Sequence, residues 1–241
     1  MKSAGKTRQR GAGLLLLLIF VGTAMGYYAV RNFGRTSQSD SRIRMTNTVM
    51  VQAADALVGY AATHVATDTG PYLPCPDKTT AAGPGTANDG QEDRNVGTGV
   101  CASAEGNLPW VTLGLVGLDG WSHRLRYRVT PAFSNSVTGM QLTSVGILSA
   151  NSAAGAVIAS ALPMVLVSHG PNAWGATSSS GVVAALPPVA NTSERENTDG
   201  DLVFIRNAEV ASGGVGGEFD DLTHWFVTAT LLARMQAAGR L

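Results

Sequence analysis

The sequence is poor in charge: Asp, Glu, Lys and Arg make up 14% of its 241 residues, and the net charge is zero. Four of the cations, Lys2, Lys6, Arg8 and Arg10, crowd into the first eleven residues, leaving 13 Lys and Arg against 17 acids in the rest. That remainder is mildly acidic and offers no basic face for nucleic acid. Catalytic signatures are missing as well. No G-x-S-x-G elbow, Walker loop or H-E-x-x-H pair occurs. The four histidines, His64, His123, His169 and His224, are scattered without the spacing of a zinc site. Ser168-His169 is the one pair that invites a catalytic reading. Neighbours on a strand point to opposite faces, which separates the two side chains. The chain reads as a non-enzyme. Asn88-Asp89-Gly90 lacks the spaced carboxylates of an EF-hand loop.

Cysteine is scarce too. Cys75 and Cys101 are the only two. They lie in Pro-, Gly- and Asp-rich segments, outside any C-x-x-C spacing. That usage fits one disulfide in an oxidising compartment, worth about 3 kcal/mol in the chain-entropy model. The 29 glycines, beside so little charge, suit a loop-rich extracytoplasmic domain.

One long hydrophobic run is present. Gly11 to Val30 is 20 residues without a charge. As a helix it would cover about 30 Å, the thickness of a bilayer core. Tyr27 and Tyr28 near its far end suit an interface. The basic residues before it keep the N-terminus cytoplasmic and the C-terminal domain outside. A secretory signal peptide needs small residues at −3 and −1, which Ala24-Met25-Gly26 supplies poorly. Residues 31–42 are polar. Beyond them, Ile43, Met50 and Leu57 recur seven apart with Ala53, Ala54, Tyr60 and Ala61 beside them. This predicts an amphipathic helix with His64 on its apolar stripe, ending at Asp68, Gly70 and Pro71.

The spacing then predicts an extended Tyr72–Asp77 and a polar loop over 78–106. From His123 the pattern alternates. Leu125, Tyr127 and Val129 form a buried strand face, and Arg124, Arg126 and Arg128 a solvated one. Further expectations are a strand at Met140–Leu148, a short strand or helix at Ala153–Ala161 and a buried strand at Met164–Val167. A loop follows over 173–200, then a strand at Leu202–Arg206 and a glycine turn at 213–217. A C-terminal helix closes the chain, capped by Gly239.

The junction Arg8-Gln9-Arg10-Gly11-Ala12, a basic leader ending in Gly directly before an apolar run, resembles the class III signal of type IV pilins and type II secretion pseudopilins. In the domain, Asp119-Gly120-Trp121-Ser122 with Arg126-Tyr127, then Ser168-His169-Gly170-Pro171-Asn172, then Asp220-Asp221-Leu222 with Trp225 look like the ordered motifs of the major pseudopilin. Leu-Pro-Cys-Pro-Asp at 73–77 is similar to a pilin-like subgroup with a disulfide-closed loop. The resemblance implies cleavage by prepilin peptidase between Gly11 and Ala12, methylation of the new N-terminus and retention of the stem. It implies an α+β, lollipop-like fold: a membrane stem plus an amphipathic half, packed on a small antiparallel sheet with long loops and one disulfide. The parts would be a leader at 1–11, a transmembrane helix at 12–30, its amphipathic continuation at 31–70 and a periplasmic domain at 71–241. Leu16 stands at mature position five, where most such subunits carry Glu, which favours a minor subunit.

The family also binds calcium in a C-terminal acidic loop, which makes Asp199, Asp201, Asp220 and Asp221 the metal candidates here. On their own terms, Asp199-Gly200 reads as a turn and Asp220 as a cap of the last helix. The expected partners are prepilin peptidase, other pilin-like subunits through the stem and the inner membrane. Gly22 and Gly26 would allow close stem packing. The rival reading is a membrane-tethered binding or adhesion protein that joins no filament and binds through loops 78–106 and 173–200.

Overall fold

The computed structural model describes residues 10–68, 70–211 and 217–241, without the side chains of residues 10–12, 14–15 and 28–37. The chain divides between Ile43 and Arg44 into two compact units. Helix α1, Arg10–Thr63, runs through both. No proline interrupts those residues, so nothing removes a backbone donor from the ladder. In the first unit, the side chains of Leu16, Leu17, Leu18, Ile19, Phe20, Met25 and Tyr27 are all exposed. Thr23 returns its hydroxyl to the carbonyls of Ile19 and Phe20, which satisfies the polar group inside an apolar stretch. Among the described residues no helix is long and apolar enough to cross a membrane. Within the 12–30 segment the side chains of residues 12, 14, 15 and 28–30 are not described.

The second unit holds the remaining elements. In order these are β1 (Glu105–Asn107), β2 (His123–Arg124), β3 (Arg126–Val129), α2 (Pro131–Ser134), β4 (Leu148–Asn151) and β5 (Val157–Leu162). Then come β6 (Met164–Ser168), β7 (Thr177–Ser178), α3 (Thr192–Glu196), β8 (Val203–Ile205), β9 (Leu222–Phe226) and α4 (Thr228–Ala237). The unit is thus α+β. An antiparallel sheet in the order β1-β3-β6-β9 is its centre, with β2 and β7 paired apart. A second sheet, β5-β4-β8, joins β4 to β5 antiparallel and β4 to β8 parallel.

Register explains the layering. Tyr127 faces Leu166 and Val129 faces Met164, while Arg126 faces Val167 and Arg128 faces Val165. Side chains alternate between faces. Tyr127, Val129, Met164 and Leu166 therefore join a core with Met50, Ala53, Ala54, Leu57 and Ala61 of α1 and Leu231 and Met235 of α4. Val165 and Val167 turn the other way, onto Leu148, Ala150, Leu162 and Phe204 of the second sheet. β6 is covered on both faces, so all five of its residues are buried.

Two of the three arginines, Arg126 and Arg128, are not on a solvated face. Arg126 and Arg128 lie on the side that the second sheet covers, and both pair with Glu105 on the neighbouring strand. Burial, with Arg128 beside it, pulls the Arg126 pKa down to about 10.

Several boundaries also differ from the expectation. Helix α1 stops at Thr63, before Asp68, and the chain doubles back through a Val65–Pro71 bridge. His64 is exposed and stacks on Tyr60 at 3.7 Å instead of entering the core. The strand expected at Met140–Leu148 begins only at Leu148. Residues 141–144 turn instead, with Ser144 N–H donating to the Gln141 carbonyl and Gln141 N–H to the Ser144 hydroxyl. The segment 173–200 contains β7 and α3. Residues 212–216, most of the expected glycine turn, lie outside the described residues. Helix α4 ends with Gly239 at φ +66°, and Arg240 N–H reaches Met235 O at 2.9 Å while Gly239 N–H reaches Gln236 O at 2.9 Å. These are the two bonds of a Schellman cap.

Cys75 and Cys101 form the disulfide. The loop it closes is held at its centre by Glu92, which accepts from the Tyr60 hydroxyl (2.8 Å), the Cys75 N–H (2.9 Å) and Arg94 (2.8 Å). Burial and the Glu92 charge push the Tyr60 phenol up. Arg94 also donates to the carbonyls of Leu73, Gly99 and Ser134. The buried Lys78 ammonium donates to those of Ala82, Gly83 and Pro84. This polar loop is built of specific hydrogen bonds.

Candidate functional site

The β6–β9 ladder ends where Ser168 pairs with Leu222. The residue after β6 and those before β9 therefore meet at one end of the sheet. Gly170 fits there because a Cβ would stand 2.2 Å from Asp220 Oδ1, and its φ is +53°. Short helix α3 delivers a third acid, Glu194, which is 1% exposed. Glu194, Asp220 and Asp221 bring one carboxylate oxygen each to within 4.8 Å of one another.

The group is heavily wired. Glu194 Oε1 accepts from Asp220 N–H (2.8 Å) and Asn172 Nδ2 (3.0 Å), and Oε2 accepts from Asn191 Nδ2 (3.2 Å). Asp220 Oδ2 accepts from Asn172 N–H at 3.3 Å. Asp221 accepts from Asn197 Nδ2 at 2.8 Å and faces His169 Nδ1 at 3.3 Å. Among the described residues, Asp220 Oδ1 and Asn191 Oδ1 are buried without hydrogen-bond partners. Burial, then Glu194 and Asp221, push the Asp220 pKa up to about 8. Glu194 is raised by burial and then by Asp221. Three crowded acids with two unmatched oxygens suit a hard cation, which would stabilise the charged forms.

The four aspartates singled out from sequence fall into two groups. Asp220 and Asp221 belong with Glu194, while Asp199 and Asp201 belong with Glu196. The physical reason is topological: Asp201 leads into β8 of the second sheet, where it accepts from Val203 N–H at 2.7 Å, and also donates its own N–H to Asp199 at 3.1 Å. Asp220 precedes a strand, so it does not cap the last helix, whose N-cap is Val227. Glu194 had no assigned role in sequence. The signal that could have found it is the only dense run of acids in 173–200: Glu194, Glu196 and Asp199.

Ser168 and His169 bond different acids. Ser168 donates to Asp119 Oδ2 at 2.6 Å, and His169 faces Asp221. Asp119 also accepts from the Trp121 and His123 N–H groups, so it organises the turn before β2. Gly11 and Ala12 lie within α1, and residues 1–9 of the expected leader lie outside the described residues. No protein-family model, no curated protein and no solved structure matches the chain.

Proposed function

We propose that the chain is a structural, minor pilin-like (pseudopilin) subunit of a type II secretion or type IV pilus assembly, and not an enzyme. It is cleaved by prepilin peptidase between Gly11 and Ala12 and held in the inner membrane by residues 12–30, with its C-terminal domain in the periplasm. It enters a filament when its stem leaves lipid and packs against other stems. The observation that carries this reading is the second half of α1. Met50, Ala53, Ala54, Leu57 and Ala61 seat one helix face on a central antiparallel sheet. The same helix continues N-terminally into an uncharged run behind a basic leader that ends in Gly. The exposed apolar side chains of residues 16–27 suit first a lipid environment and then a helical bundle. Glu194, Asp220 and Asp221 would hold calcium, which supplies charge neutralisation at the end of the central sheet.

Expression with and without prepilin peptidase tests the reading. The protein runs shorter when the peptidase is present and keeps its leader when the peptidase is absent. Equal mobility in both strains would favour a tethered binding protein instead.

A further inference from the structure

Beside Arg126, away from the α1 core, strands β1, β2 and β3 and residues 169–183 wall a cavity of about 80 Å3. Arg124, Arg126, Glu105, Asn107, His169 and Thr177 line it. The wall is cationic. Glu105 is taken up by Arg126 and Arg128 together. Arg124 lies over Trp110 at 3.6 Å and donates to the Val116 carbonyl at 2.9 Å. Among the described residues no carboxylate lies within ion-pair distance of it.

Two polar atoms on this wall are buried without hydrogen-bond partners among the described residues: Arg126 Nε and His169 Nε2. His169 is 1% exposed, and its other nitrogen is engaged by Asp221. Unpaired buried polar atoms are costly, and their coincidence at one cavity marks a place for a ligand. With Nδ1 facing Asp221, the ring's remaining hydrogen-bonding atom on this wall is Nε2. The guanidinium N–H groups need an acceptor. A phosphate group sets several oxygens around one centre, which can meet both arginines and hydrogen-bond the imidazole at once. At about 80 Å3 the cavity has room for one tetrahedral oxyanion.

We propose that this cleft binds a single phosphate group, either free phosphate or the head of a phosphomonoester whose tail leaves past the exposed Val183. The test is a thermal-shift and phosphorus-NMR titration of the full chain in detergent, with inorganic phosphate, glycerol phosphate and acetate against chloride at matched ionic strength. Inorganic phosphate should saturate at about millimolar concentration or below. Acetate, with two oxygens and a single charge, cannot meet all three groups and should bind about tenfold more weakly. Glycerol phosphate binding as well as phosphate identifies the monoester as a ligand, whereas binding of phosphate alone identifies a closed site for the free ion. Arg124→Gln should weaken binding about tenfold or more. His169→Gln should also weaken it, with far-UV circular dichroism confirming its fold. If that variant does not fold, the partly exposed Arg124 position decides. No saturation, acetate binding as well as phosphate, or an unchanged affinity in Arg124→Gln overturns the proposal.

Discussion

Removing the disulfide probes the one covalent tie in the domain. Cys75 and Cys101 are 26 positions apart, and Cys75 is fully buried. In the chain-entropy model a closed loop of this length constrains the unfolded chain by about 3.5 kcal/mol. The native loop does not depend on the bond for its shape, because Glu92 holds Tyr60, the Cys75 N–H and Arg94. The loss should therefore fall on the unfolded state and leave the native spectrum in place. Across a domain of this size, it corresponds to about 7–14 °C in melting temperature. The assay is urea unfolding followed by tryptophan fluorescence, comparing the wild type, the reduced wild type and a Cys75→Ala/Cys101→Ala double variant. Reduced protein and variant should agree and show a larger urea dependence, since the open chain exposes more surface. A loss below about 1 kcal/mol would refute the entropic argument.

Asp220 sets a pH slope. Its folded-state pKa is raised to about 8, so between about pH 4 and pH 8 the folded state binds more protons than the unfolded one. Stability should fall as pH rises through that window and level off above it, and Asp220→Asn should flatten the slope in pH-dependent melting curves. Calcium should raise the wild-type melting temperature, more above pH 8 than at pH 6, and should lose that effect in Asp220→Asn. Leu57→Ala removes a fully buried α1 side chain from the central core, and urea unfolding should show a loss of about 2–5 kcal/mol. Glu105→Gln strips Arg126 and Arg128 of their shared acid and should cost about 1.5–3 kcal/mol by the same measurement.

The strands with one buried face were legible because alternation is a local signal. Leu125, Tyr127 and Val129 are all buried, as the period of two requires. Met164–Val167 stood out because an unbroken apolar run has no face left for water. What could not be read was tertiary. Arg126 and Arg128 look solvated until Glu105, 21 positions before Arg126 in sequence, pairs beside them and the second sheet closes over that face. The acidic site failed to resolve for the same reason. Asp199 and Asp220 seem equivalent along the chain, yet they lead into strands of different sheets. Glu194 joins Asp220 only because α3 folds back onto the end of the β6–β9 ladder.

Mass spectrometry of the N-terminal peptide, on protein taken from the cell envelope, tests the central claim most directly. The account predicts a chain that begins at Ala12 with a methylated amine. A peptide retaining Met1, or one cut near Gly26 inside the apolar run, would contradict it.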